Sequence, residues 1–464
     1  MIEYIALTNF FSFKERTEFS LKATKEKPRG TFSGEDWWTE IDGVKLLKAA
    51  FLLGNNGSGK TNFLNGLSVL NELITVNRNS KTSSRFRLPN VPFLLAEETK
   101  NAPSAIEVAF HTAGYRYVYY ISWRPDYIVE ERLSRQEGKK KQKAIFSREF
   151  SKEKDIVVVS FPKGTTITGP VQELINQNIL KYSSVISIYD NKNFECEDIR
   201  NVYSYFRYVD LWNVKKYDLA TMMAKRSNED LLKPIILCIL KDMGSTICNY
   251  KVDTLAFDIT EDEREFLLTR MSEEEYRANF PGDKRILQKL QFGYRIVDKE
   301  EVAWLPESLE SEGTLEAIRL IIVLFDSLWR RTPIAIDECA QSIHPKALEF
   351  ILSFFLKSAD TAQVFIASQA LILLKWDNLR RDSIRFFEKD KSTGVSSFSC
   401  INNRTLHRNS QIYDLYMNKT FGGEVKILEK EPWKETLAKV TKCMKNRVWN
   451  TRPETGMKEG LETT

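Results

Sequence analysis

Apolar residues recur along this chain at two periods. Before residue 160 they alternate with polar ones in short runs, at 2–7, 17–21, 105–110, 115–121, 128–133 and 155–160, which predicts the strands of a β-meander. Thr112-Ala113-Gly114, between two of these runs, reads as a hairpin turn. Residues 44–53 lead into a buried strand, whose apolar run is 49–53. Phe63, Leu64, Leu67 and Leu70 then repeat at helical spacing through a helix ending near residue 77, with a polar loop at 78–87.

From about residue 169 the period lengthens. Residues 171–182, 198–209, 218–225, 228–242 and the acidic stretch 260–278 read as helices. Ser227 and Asp230 are a capping pair for the fourth, Gly244 its stop, and Pro234 a kink or its true start. No heptad survives three repeats, so a compact arm is expected rather than a long coiled coil. Residues 291–297 and 302–304 read as a hairpin, and 313–329 as an amphipathic helix with Leu315, Ile318, Ile321, Ile322, Phe325 and Leu328 on one face. Strands at 333–336 and 363–367 flank a helix at 345–356, and a hairpin follows at 384–400. The expected division is an N-terminal lobe over 1–140, a mainly helical insert over 141–288, a C-terminal lobe over 289–425 and a basic helix and tail over 426–464.

With 464 residues, 42% hydrophobic and 28% charged, the composition is that of a folded globular chain. No apolar run nears the ~18 residues a membrane span needs, and the first residues lack a basic-then-apolar leader, so a cytoplasmic protein with no membrane contact is expected. Six cysteines without a C-x-x-C pair read as reduced core thiols, and three histidines far apart in sequence offer no zinc site. A net charge of +5 is weakly compatible with nucleic acid.

The chemistry begins where the apolar run ends. Gly54-Asn55-Asn56-Gly57-Ser58-Gly59-Lys60-Thr61, followed by Asn62, completes the pattern G-x-x-x-x-G-K-[ST]. Its glycines let successive N–H groups cradle phosphate oxygens, and the following helix adds its positive end. Lys60 is expected on the β- and γ-phosphates of ATP, and Thr61 on Mg²⁺. Far downstream, Pro333-Ile334-Ala335-Ile336-Asp337-Glu338 is a buried strand releasing two acids, Asp337 for the Mg²⁺ shell and Glu338 for polarising the attacking water. Ser311 reads as the N-cap of a helix, and Gly313 as a place where a ligand can approach.

These motifs resemble those of the split ABC-type ATPases of the SMC, RecF and overcoming-lysogenisation-defect group. The carrying residues are Asn9-Phe10-Phe11-Ser12-Phe13, the glycine-rich loop, Ser311-Glu312-Gly313-Thr314, Asp337-Glu338 with Ser342-Ile343-His344-Pro345, Phe386-Phe387-Glu388-Lys389-Asp390 and the stretch 416–422. Within that group the chain is most similar to the AbiLi-like phage-defence ATPases, which include the ATPase subunit of the PARIS system.

The resemblance implies an α/β fold: an ABC-type P-loop ATPase domain with an N-terminal β-meander, split by a mostly helical insert. It implies two chains, as a homodimer or higher homo-oligomer, sandwiching ATP, with Ser311 of one copy facing the γ-phosphate bound by the other. Residues 342–345 would be the loop that crosses to the opposite site, making His344 an interface residue. A phage-encoded trigger and a separate nuclease or toxin effector would be partners, since too few residues follow Cys400 for a nuclease domain. The alternatives are a RecF- or SMC-like repair ATPase that clamps DNA, and an ATP-bound scaffold with little turnover. Three departures stand out. Ser368-Gln369 replaces the usual Thr-His, and Gln369 can hydrogen-bond a phosphate but carries no proton, which predicts slow hydrolysis. Residues 92–95, where a further site glutamine would be sought, contain none, and Phe11 replaces a common arginine.

Overall fold

A computed structural model describes residues 1–27, 30–76, 87–209, 211–213, 218–226, 231–339, 341–369, 371–401 and 412–417. These belong to one compact unit, Met1–Gly423. The predicted tail, nearly all of the loop at 78–87 and the Ser227–Asp230 cap lie outside the described residues.

In chain order, β1 (Ile2–Thr8) and β2 (Thr17–Ser20) precede a one-turn helix, α1 (Gly34–Trp37), and the hairpin β3 (Trp38–Ile41) and β4 (Val44–Leu47). Then come β5 (Ala49–Gly54), α2 (Lys60–Thr75), the short α3 (Glu97–Lys100), and β6 (Ser104–Thr112), β7 (Tyr115–Arg124), β8 (Tyr127–Gln136), β9 (Lys143–Ser151) and β10 (Ile156–Ser160). Helices α4 (Gly169–Asn178) and α5 (Glu197–Phe206) follow, then β11 (Leu211–Asn213), α6 (Leu219–Ala224) and α7 (Leu232–Asp242). The remainder is β12 (Ile247–Asp258), α8 (Glu261–Leu268), α9 (Glu273–Asn279), β13 (Lys284–Arg295), β14 (Val302–Pro306), α10 (Glu312–Arg330), β15 (Pro333–Asp337), α11 (Pro345–Ser358), β16 (Gln363–Ser368), β17 (Ile384–Lys389), β18 (Ser396–Cys400) and α12 (Ile412–Met417).

Two large sheets organise these elements. The antiparallel sheet runs β10-β9-β8-β7-β6-β1-β2, and the core sheet runs β11-β15-β16-β5-β17-β18. Within the core sheet β11, β15, β16, β5 and β17 are mutually parallel, and β18 turns back on β17. Both faces of the core sheet are covered, which is why its strands read as unbroken apolar runs. The strand period of two divides their side chains between two cores. Phe51 and Leu53 of β5, Ile334 and Ile336 of β15 and Val364 and Ile366 of β16 join α10 and α11 on one side. Ala50, Leu52, Ala335, Phe365 and Ala367 face the other way, toward α2 and the antiparallel sheet. Phe63 of α2 ties the layers together by stacking on Phe19 at 4.6 Å and meeting Phe387 edge-on at 5.9 Å. Each such fully buried side chain contributes roughly 1.5–3 kcal/mol. This is the α/β, ABC-type arrangement expected: a P-loop core sheet, an N-terminal meander and a mainly helical segment, α4 to α7, that itself contributes β11 to the core sheet.

Several elements differ from expectation. The lead-in at 44–47 is a separate strand in a different sheet from β5, with Lys48 between them turning its ammonium to the Glu35 and Leu356 carbonyls at 2.7 and 3.2 Å. Strand β9 joins the meander within 141–288, and β11 forms an edge of the core sheet. The acidic stretch 260–278 is two helices, because Ser272 caps α9 reciprocally with Glu275 and so ends one helix and starts another. Strand β12 pairs with β13 from Ile247 to Asp258, making the arm a β-ribbon with small helices at its tip. Its outer half is exposed on both faces, so the alternation that marks a half-buried strand never appears in its sequence. Cys196 and Cys339 are buried as expected, but Cys238 and Cys400 are exposed.

Candidate functional site

Strand β5 ends at Gly54 and α2 begins at Lys60, so the loop between them lies at the C-terminal end of a buried parallel strand. Gly54 has φ +151° and Gly59 φ +107°. A Cβ on Gly54 would lie 2.3 Å from the Phe387 carbonyl oxygen, and one on Gly59 would lie 2.5 Å from Ser396 Oγ. Both positions therefore require glycine on conformational and steric grounds. The loop rests on the turn at residues 9–13: Asn62 donates to Ser12 Oγ at 2.9 Å, and the Ser396 N–H donates to the Ser12 carbonyl at 2.7 Å. Asn9 anchors that turn by donating to the Thr99, Ala102 and Pro103 carbonyls and accepting from Phe93 N.

The side chains converge as the spacing implied. Lys60 is 7% exposed and donates to the Gly54 and Asn55 carbonyls at 2.7 and 2.8 Å. Burial pulls its pKa below the usual lysine value, opposed by Asp337 and Glu338. Thr61 Oγ1 donates to Asp337 Oδ2 at 2.8 Å, joining residues 276 positions apart. Burial pushes the Asp337 carboxyl up, opposed by hydrogen bonds from Thr61 and the Glu338 N–H. Glu338 is exposed and holds φ +55°, a left-handed conformation that costs a non-glycine residue roughly 1–2 kcal/mol. That kink turns the chain off the strand end and leaves the two acids with different surroundings, one buried and one in the cleft.

A cleft of about 680 Å³ is lined by Asn56 to Asn62, Asp337, Glu338, Gln341, Ala367, Ser368, Gln369 and Lys389. That volume is within the usual range for ligand pockets. Its chemistry fits a nucleotide with Mg²⁺: a hydroxyl and a carboxylate supply hard oxygen donors, and Ser58 Oγ is buried without a hydrogen-bond partner. Two lining residues were not anticipated. Lys389 arrives because β17 pairs with β5, with Phe387 opposite Gly54, so two further residues carry it past the loop. Gln341 arrives on the loop after Glu338. Lys389 belongs to a stretch that carries the family resemblance, but only the strand order places it in the cleft, and no local pattern marks Gln341.

Ser311, Gly313 and His344 do not line this cleft. Ser311 is exposed and caps α10, accepting from Thr314 N at 3.1 Å. His344 is exposed and caps α11, with Nδ1 accepting from Lys346 N at 3.3 Å. Gly313 has an intramolecular reason to be glycine: a Cβ there would lie 2.7 Å from the Ser342 carbonyl oxygen. Beside it, the fully buried Glu316 accepts from Gln341 N at 3.2 Å and Ser342 N at 2.9 Å. The first turn of α10 and the 341–345 loop are thus fastened into one unit. Glu316→Ala leaves two amides without that partner, each worth about 1–3 kcal/mol if unsatisfied. The expected result is a lower melting temperature, with partial recovery in Glu316→Gln. An unchanged melting temperature in the alanine variant would show that the fastening of the two segments does not depend on Glu316.

A family model described as "AAA domain, putative AbiEii toxin, Type IV TA system" matches residues 49–374, from β5 through the loop after β16. The comparison with curated proteins gives no match. Similar solved structures include an SMC head bound to the C-terminal winged-helix domain of ScpA, with 12% identity, TM-score 0.40 and coverage of 87% of this chain and 98% of that one. The SMC head domain from Thermotoga maritima has 10% identity, TM-score 0.41 and coverage of 86% and 99%. The recombination mediator RecF with a bound ATP analogue has 12% identity, TM-score 0.31 and coverage of 86% and 98%.

Proposed function

The chain belongs to that AAA-domain family, and from this premise we propose that it binds and hydrolyses ATP between two copies of itself. One observation carries the reading. Lys60, Thr61, Asp337, Glu338 and Gln369 bear on one cleft, while the Ser311 helix start and the 342–345 segment, fastened together, lie outside its lining. A two-fold partner would lay its α10 N-terminus on that cleft, offering the Ser311 hydroxyl and the positive helix end to a γ-phosphate.

In this reading Lys60 and Lys389 meet phosphate charge, and Thr61 and Asp337 hold Mg²⁺. The ion, when bound, offsets charge on the phosphate oxygens. Glu338 orients the attacking water and accepts its proton. Gln369 hydrogen-bonds the phosphate or the water without carrying a proton, so turnover is slow and pairing is the principal output.

For what the pairing controls, the first reading is a RecF- or SMC-like clamp on DNA. The β12–β13 ribbon favours it: exposed in its outer half, it leads through β14 to Ser311, so an object gripped by two arms would be sensed at the ATP sites. The second is an AbiLi-like phage-defence ATPase, the PARIS subunit being one such protein, in which a phage-encoded trigger releases a nuclease or toxin effector. The toxin–antitoxin description of the family supports it.

The test is complementation by mixing. Lys60→Ala and Ser311→Arg should each be inactive alone. Mixed after co-refolding or co-expression, half of the dimers carry one intact site, restoring about a quarter of wild-type turnover by two-fold symmetry. No restoration, with heterodimers present, would mean that each chain uses its own Ser311 or none.

A further inference from the structure

A second concave region lies at the opposite end of the core sheet from the glycine-rich loop. Two hollows, about 420 and 330 Å³, share Arg330 and Thr332 in their linings and so form one groove. Thr332 directly precedes β15 and Thr361 lies just before β16, so the groove crosses the N-terminal ends of strands whose C-terminal ends carry the ATP cleft. Asn71 of α2 builds its wall by donating to the Phe206 and Val209 carbonyls, both at 2.6 Å.

Its chemistry is basic and aromatic. Arg207, Arg226, Arg330 and Arg331 line it, against a single lining carboxylate among the described residues, Asp326. Asp326 is taken up by Arg226, whose Nε donates to Oδ1 at 2.9 Å. The formal side-chain charge is thus about +3. Helices α5, α6 and α10 end beside the groove, and basic residues at helix C-termini are expected. Three helix ends offset only about 1.5 charges at most, leaving a positive surplus. Aromatic faces accompany the arginines: Tyr115 and Tyr208 line the two hollows, and the Arg330 guanidinium lies 4.3 Å over the Tyr208 ring. Tyr205 and His111 line the first hollow, each more than nine-tenths buried, and Tyr205 Oη and His111 Nδ1 have no hydrogen-bond partner.

We propose that this groove binds single-stranded nucleic acid, with Arg330 and Arg331 on the phosphodiester backbone and bases against the ring faces of Tyr115 and Tyr208 opposite Arg135 and Arg330, which lie 4.4 and 4.3 Å over them. Alternating guanidinium and aromatic groups in a groove suit a flexible strand whose bases are free to stack, whereas a duplex keeps its bases within the helix. The buried Tyr205 hydroxyl, without a hydrogen-bond partner, supplies a polar contact for a base or sugar, while His111 Nδ1 faces Asp42 at 3.9 Å. The groove is separate from the ATP cleft, so the proposal does not depend on the reading of that cleft.

The test is fluorescence polarisation with a labelled 20-nucleotide single strand, the matching duplex and a labelled mononucleotide, on the full chain. The expected result is single-strand binding at least tenfold tighter than duplex or mononucleotide. Arg330→Glu with Arg331→Glu should weaken it at least tenfold, and should lower the steepness of log K against log salt by about 0.7 per lost phosphate contact. Lys60→Ala should bind as the wild type does, and the arginine variant should keep wild-type ATP turnover, with a modest fall in melting temperature because two acids then sit at the C-terminus of α10. Tyr115→Ala, a milder change, should weaken binding without altering the salt slope. No single-strand binding at low salt, equal affinity for duplex, or undiminished binding in the double arginine variant would each overturn the assignment. A cooperative melt in every variant rules out misfolding as the cause of lost binding.

Discussion

Glu338→Gln is expected to slow phosphate release from ATP by roughly 10²–10⁴-fold, the usual worth of a positioned general base. ATP-dependent pairing of two chains should survive the change, and become easier to observe. The reasoning is local. Glu338 is exposed in the cleft just past the strand end, whereas Asp337, buried and bonded to Thr61 at 2.8 Å, is committed to the donor set. Glutamine keeps the shape and hydrogen-bonding reach of the side chain but cannot accept the proton of the attacking water. Phosphate release and light scattering on one preparation, with and without ATP and Mg²⁺, measure both quantities. Turnover within threefold of wild type would assign the base elsewhere. Lost pairing would show that pairing follows hydrolysis rather than binding.

Lys60→Ala should act one step earlier. Lys60 is 7% exposed and its ammonium donates to two loop carbonyls, so it is already held where phosphate oxygens would replace them. Removing one preorganised donor of this kind costs roughly 10²–10³-fold in rate. The variant should also lose the thermal stabilisation ATP gives, about 2.7 kcal/mol at a hundredfold excess over Kd for the wild type. Without ATP its melting temperature should not fall, because burial already disfavours the charged form of this lysine. A variant that keeps its ATP-induced shift in melting temperature would separate Lys60 from nucleotide binding. The two experiments divide binding from chemistry, since Glu338→Gln should keep the shift and Lys60→Ala should not.

The sequence alone determined those parts of the site that one chain segment carries whole. The glycine-rich loop is legible because every function it performs, from left-handed backbone to lysine reach, lies within eight consecutive positions. The Asp337–Glu338 strand end is legible because four apolar residues fix a buried strand and place the acids at its end. The core sheet's strands other than the short edge strand β11, and the helices α2, α10 and α11, were readable because burial on one or both faces writes a period into the chain.

Tertiary structure decided what depends on which strand neighbours which. Lys389 became a cleft residue through the pairing of β17 with β5, and Glu316 a coupling residue through two backbone amides 25 and 26 positions away. Gly313 was readable as special, but its reason, the Ser342 carbonyl, was not. The arm escaped a sequence reading because its outer half leaves even Leu255, Phe257, Ile286 and Leu287 exposed, so no buried face sets a period there. The groove at the far end of the sheet did too, because its arginines come from three helix ends, and only the packing of α5, α6 and α10 brings them to one place.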